Sequence, residues 1–83
     1  MDTTTQRDLA LTFRDRHTDP DGPLLLPNAW DCASALIYEA AGLEAIGTSS
    51  AGIAAAHGVP DGEHLSRSEM LDAVERIAHS VAV

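Results

Sequence analysis

Residues 24–52 read LLLPNAWDCASALIYEAAGLEAIGTSSAG, and this stretch decides the fold. Leu24-Leu25-Leu26 is a short, continuous apolar run held between Pro23 and Pro27. Such a run between breakers predicts a strand buried on both faces, as in a parallel sheet. Asn28-Ala29-Trp30-Asp31 reads as the turn out of it, with Asp31 as the N-cap of a helix. Ala33, Leu36, Ile37, Ala40 and Ala41 then recur at i, i+3, i+4, i+7 and i+8, which marks one apolar helical face. Gly42 suits the residue that follows a helix C-terminus. Ala45-Ile46-Gly47-Thr48 predicts a second short strand, and a glycine inside a strand often marks close approach by a ligand or another backbone. Ser49 to Gly52 forms the next turn.

Outward from this unit, residues 5–17 predict a helix. Thr5 is its N-cap, and Leu9, Ala10 and Phe13 share one face. Thr18-Asp19-Pro20-Asp21-Gly22-Pro23 then breaks the chain into a loop. On the other side, Ile53 to His57 suggests a short helical turn stopped at Gly58. Ser66-Arg67-Ser68-Glu69 matches the capping-box pattern. Met70, Leu71, Val74, Ile77, Ala78 and Val81 continue it as the most regular apolar stripe in the chain, and a third strand is expected to begin at Val81 to Val83. Strands alternating with helices predict parallel pairing through right-handed crossovers. Two strands cannot cover three apolar helix faces, because a parallel sheet needs both faces covered and its edges paired. The expected fold class is therefore α/β, the opening of a barrel or of a doubly wound sheet. The chain reads as a single partial domain over residues 1–83.

Composition bounds the function. With 45% hydrophobic and 22% charged residues, the chain is globular. Its five basic residues are all arginine and its formal charge is −8, which argues against nucleic acid and anionic membrane surfaces as partners. Small anionic substrates remain compatible, since local N–H groups and hydroxyls hold them whatever the mean charge. Cys32 is the single cysteine, so neither an internal disulfide nor a cysteine-based zinc site is expected. The start lacks the pattern of a secretory signal and no apolar run is long enough to span a bilayer, so a cytoplasmic location is expected.

In parallel α/β folds, chemistry lies at the carboxyl ends of the strands. Three clusters fall there. Thr48-Ser49-Ser50-Ala51-Gly52 combines hydroxyls with small residues that let a backbone approach an anion; the alternative is an ordinary serine-glycine turn. Pro60-Asp61-Gly62-Glu63-His64 offers carboxylates and an imidazole for metal or proton chemistry; the alternative is a solvated turn. Trp30-Asp31 offers a pocket wall beside an acid, or a core tryptophan next to a helix cap. Neither a Walker A loop nor a nucleophile elbow is present.

The run from Leu24 to Ala35, the run from Ala40 to Gly52 and the run from Gly58 to Glu63 together resemble the isocitrate lyase / phosphoenolpyruvate mutase superfamily, in order and with family-like spacing. The resemblance covers about residues 8–83. It implies the N-terminal portion of a (β/α)₈ TIM-type barrel, with residues 23–83 as its first two β/α units. It also implies a Mg²⁺-dependent lyase- or mutase-type enzyme that acts on small α-keto or α-hydroxy carboxylates, cleaving or forming C–C or P–C bonds through a pyruvate enolate-like intermediate. By position, Ser49 and Ser50 match the loop that binds the substrate carboxylate, with Thr48 as a substitute if the register differs by one. Asp61 matches an aspartate near metal and substrate, and Trp30 and Asp31 match the pocket floor. The family's Asp-x-Asp metal motif is expected beyond Val83, so no metal ligand and no catalytic acid or base is assigned here. Cys32 does not match the catalytic cysteine of the lyases. The resemblance further implies a homo-oligomer in the full-length form and an inactive fragment in this chain alone. Two other readings stay open: a small non-catalytic α/β association module, and the start of a different phosphate-binding barrel enzyme.

Overall fold

The computed structural model describes residues 3–83. In order, its elements are α1 (Thr3–Arg16), β1 (Asn28–Ala29), α2 (Cys32–Ala40), β2 (Gly47–Thr48), α3 (Ser50–Ala56) and α4 (Arg67–Ser80). The two strands pair in parallel, with Asn28 opposite Gly47 and Ala29 opposite Thr48. The ladder begins one residue earlier, where the Gly47 N–H donates to the Pro27 carbonyl at 2.9 Å. α2 provides the crossover between the strands, and α4 packs against both α2 and α3.

The core is small and alanine-rich. Ala29, Ala35, Ile53, Ala73 and Ile77 form its buried cluster, and Tyr38, Ile46, Leu65, Met70, Val74 and Val81 close around it. Methyl side chains at Ala35 and Ala73 let α2 and α4 approach closely. Ile53 is the largest fully buried side chain, so it supplies much of the volume that the alanines do not.

Helix starts are well determined. At α2, the Asp31 carboxylate accepts from the Ser34 N–H at 2.8 Å, while the Ser34 hydroxyl oxygen accepts from the Asp31 N–H at 3.2 Å and the Trp30 N–H at 3.1 Å. At α4, the Ser66 hydroxyl oxygen accepts from the Glu69 N–H and Glu69 accepts from the Ser66 N–H, both at 3.1 Å. Both boxes satisfy N–H groups that the helix itself leaves unpaired.

Several sequence expectations are corrected. Leu24 to Leu26 is not a strand, and Leu25 and Leu26 are 64% and 49% exposed. The strand lies at Asn28–Ala29 instead, inside the expected turn, because the pairing with Gly47 starts only at Pro27. The second strand is confined to Gly47–Thr48. The stripe Ala33, Leu36, Ile37, Ala40 and Ala41 faces outward; the helix buries Ser34 and Ala35 instead. Thr5 lies inside α1 rather than capping it. α3 begins at Ser50, three residues before the expected turn, because Ser49 caps it. Residues 81–83 form no strand; the Ala82 N–H donates to the Glu39 carboxylate at 2.6 Å.

α1 buries no residue fully. It lies over a groove of about 270 Å³ whose apolar walls include Leu9, Phe13, Leu24, Ile46 and Val83. Arg16 anchors its end through ion pairs to Asp19 and Glu44.

Candidate functional site

The carboxyl end of β2 runs directly into Ser49 and Ser50. Ser49 is extended and caps α3, its hydroxyl oxygen accepting from the Gly52 N–H at 3.2 Å. That bond uses an oxygen lone pair and leaves the hydroxyl hydrogen free to donate. Ser50, the first residue of α3, is exposed. Gly52 brings this turn against the end of β1. A Cβ there would lie 3.1 Å from the Trp30 Cβ and 3.5 Å from the Ser49 Cβ, so only a hydrogen fits without displacement.

Beyond Ser50 opens a cavity of about 640 Å³. Ser50 lies on one side, the loop residues Asp61, Gly62 and Glu63 on another, and Leu65, Ser66, Arg67 and Met70 at the start of α4 complete it. Asp61 and Glu63 are exposed, with carboxylates open to solvent and to a ligand. Gly62 and Glu63 both take positive φ, 105° and 68°. Left-handed backbone is costly for a residue with a Cβ, and such positions concentrate at functional loops.

Trp30 and Asp31 stand apart from this cavity. Trp30 is 45% exposed, which corrects the alternative of a core tryptophan. Its ring meets Tyr38 edge-on at 6.4 Å. Trp30 and Asp31 border two smaller hollows: one of about 170 Å³ with Ser34, Ile37 and Tyr38, and one of about 200 Å³ with Cys32, His57 and Arg76. Asp31 also holds its capping bond, so the cap and pocket-wall roles coexist. The structure thus brings Ser50 and Asp61 together and places Trp30 and Asp31 as a separate pair, with Ser49 fixing the turn between. Glu63 and Arg67 share the larger cavity. Glu63 was visible in the Pro-Asp-Gly-Glu-His loop, whereas Arg67 was read only as part of a helix start.

The titration of Glu69 is displaced. The Ser66 N–H, then the Ser66 hydroxyl, hold its carboxyl below the usual carboxylate range, and His57 adds a smaller lowering through its charge. This is the electrostatic face of the capping box, not a sign of catalysis.

A Mg²⁺ site requires several oxygen ligands at one point. Among the described residues, no group of three or more histidine, cysteine, aspartate or glutamate side chains is placed to hold a metal. Asp61 and Glu63 alone do not complete such a site, so no step is derived through a metal here. No helix among the described residues is long and apolar enough to cross a membrane.

Two parallel strands joined by a helix, with further helices packed beside them, define an α/β protein. The sequence profile of phosphoenolpyruvate phosphomutase matches residues 13–83, and the chain belongs to that family, within the isocitrate lyase / phosphoenolpyruvate mutase superfamily. Family enzymes act on small carboxylate or phosphonate substrates and generally use Mg²⁺. Two proteins of Mycobacterium tuberculosis, named "Uncharacterized protein MT2054" (strain CDC 1551 / Oshkosh) and "Uncharacterized protein Rv1998c" (strain ATCC 25618 / H37Rv), are each 47% identical over 57 residues. That covers 69% of this chain and 22% of theirs. A crystal structure of a "putative phosphonomutase" from Burkholderia cenocepacia J2315 superposes with a TM-score of 0.81 and 38% identity, covering 89% of this chain and 30% of that one. The chain therefore spans a fifth to a third of the proteins it matches.

Proposed function

We propose that residues 23–83 form the first two β/α units of a (β/α)₈ barrel enzyme of lyase or mutase type. Its substrates are small α-keto or α-hydroxy carboxylates, and the turn at Ser49-Ser50 receives the carboxylate. The observation that carries this reading is the shared cavity of Ser50 and Asp61 at the carboxyl end of β2. A carboxylate there would accept from the serine hydroxyls, while Asp61 faces the reacting end. In that position the Asp61 carboxylate accepts hydrogen bonds from polar hydrogens of the substrate. The exposed apolar side chains Leu25, Leu26, Leu36 and Ile37 support the barrel reading, because further β/α units would cover them.

The test is a chimera in which this chain replaces the matching 30% of the Burkholderia protein. The expected result is pyruvate release from phosphonopyruvate, methylisocitrate or oxaloacetate with Mg²⁺. Ser50→Ala should raise KM about tenfold, the cost of one charge-assisted hydrogen bond. The 83-residue chain alone is expected to release none. A folded, active chimera indifferent to both Ser50→Ala and Asp61→Asn would contradict the proposal.

The association-module reading draws on the same outward stripe of Leu36 and Ile37. It predicts that the chain alone dimerises and that Ile37→Asp makes it monomeric.

A further inference from the structure

α1 is the helix least engaged with the rest of the fold. The closest packing among the described elements runs between α2, α3, α4 and the strands, and none of it involves α1. Of its fourteen residues only Leu9 and Arg16 are half-buried, and the rest are exposed. A helix of this length is marginal in water by itself, and Thr3-Thr4-Thr5 opens it with poor helix formers. Docking therefore decides whether α1 stays helical. Its apolar side meets Leu24, Ile46 and Val83 across a groove that it does not fill, since about 270 Å³ stays open. Polar anchorage falls on Arg16, whose Nε is shielded from solvent and lies 2.5 Å from the Glu44 carboxylate. Among the described ion pairs this is the one that ties α1 to the segment entering β2. Arg14 pairs with its neighbour Asp15, and Asp19 lies only three residues beyond Arg16.

We propose that α1 is a latched flap: it undocks and melts as a unit while the other helices stay folded, and the Arg16–Glu44 pair sets how often it opens. Local opening of this kind belongs to elements with few buried apolar contacts. Where the apolar face is so thinly packed, one partly buried ion pair is a large share of what holds the helix down. Opening uncovers Leu24, Ile46 and Val83, an apolar surface beside the segments that lead into the two strands. Ser49 and Ser50 follow the far end of β2, so the candidate site stays intact in the open form.

The experiment is amide hydrogen exchange of the whole chain, read residue by residue by NMR. Amides of residues 7–16 should exchange at least about a hundredfold faster than those of α4, because local opening costs less than global unfolding. Ile53→Val weakens the core without touching α1, so it should speed exchange in α4 about fivefold and leave α1 unchanged. Arg16→Gln hardly alters helix propensity and should speed α1 exchange about fivefold, the scale of a partly exposed ion pair. Glu44→Gln should do the same from the other side of the pair. Arg14→Gln removes a charge from the same last turn, which controls for the helix dipole, and should do less. Equal protection of α1 and α4, or equal acceleration of both by Ile53→Val, overturns the proposal by showing that α1 opens only with the whole fold. Acceleration of α1 by Arg16→Gln no greater than by Arg14→Gln overturns the latch.

Discussion

Replacing Ile53 by alanine removes the largest side chain that is fully buried. Its neighbours in the cluster include Ala29, Ala35 and Ala73. Alanine has no rotamer with which to reach into a void, so the cavity would collapse only through backbone movement. Loss of a buried isoleucine generally costs about 2–5 kcal/mol, with the larger values where the site cannot relax. For Ile53→Ala we expect the upper half of that range. A chain of 83 residues commonly has a stability of about 4–12 kcal/mol, from about 0.05–0.15 kcal/mol per residue. The substitution therefore takes away a large share of the fold's stability. Ile37→Ala removes the same atoms from a side chain that is 67% exposed, and should change stability by less than about 0.5 kcal/mol. Urea denaturation followed by far-UV circular dichroism measures both. Equal losses for the two variants would refute the reasoning, because they would show that α2 presents its leucine-isoleucine face to the core and not to solvent.

Three further outcomes follow from particular contacts. Ser34→Ala should destabilise by about 1–3 kcal/mol, since the buried hydroxyl serves the Trp30 and Asp31 N–H groups and donates to the Asp31 carbonyl, and its loss leaves these unpaired; chemical denaturation reads this directly. Glu69 has a folded pKa below its ordinary value of 4.5, so its ionised form stabilises the fold above that pH, and the contribution is lost as pH falls through the lowered folded value. Glu69→Gln should flatten this segment of a stability-versus-pH curve. Glu63→Gly should relieve the left-handed backbone and stabilise by up to about 1 kcal/mol, offset in part by the greater freedom of glycine in the unfolded chain, as a thermal melt would show.

Two of the helix caps were legible in the sequence, whereas Thr5 proved to lie inside α1 and the Ser49 cap of α3 was not foreseen. Ser66 and Glu69 declare the start of α4 through local chemistry that needs no tertiary context, and Asp31 does the same for α2. Ser34 was less visible, because a serine hydroxyl fills the role usually read from Glu or Gln. Periodicity grouped Leu36 and Ile37 correctly on one face but could not say where that face points. The orientation comes from close helix packing, which selects the small residues Ser34 and Ala35 for the interior. The triple leucine misled for a related reason. Hydrophobicity marks what can be buried, whereas a strand also needs a partner, and Gly47 meets the chain only from Pro27 onward. At the site, the serine turn was readable from its place after the second strand, whereas Asp61 was singled out only as part of the Pro-Asp-Gly loop. Their sharing of a cavity with Arg67 was not readable, since it depends on how the 60s loop folds back toward α3.

The most direct test of the central claim is a crystal structure of the barrel-completed chimera with pyruvate bound. The account predicts the pyruvate carboxylate within hydrogen-bond distance of the Ser50 hydroxyl, with Asp61 on the same cavity wall. Pyruvate seated instead in the groove beneath α1, or in the hollow beside Cys32 and His57, would contradict it.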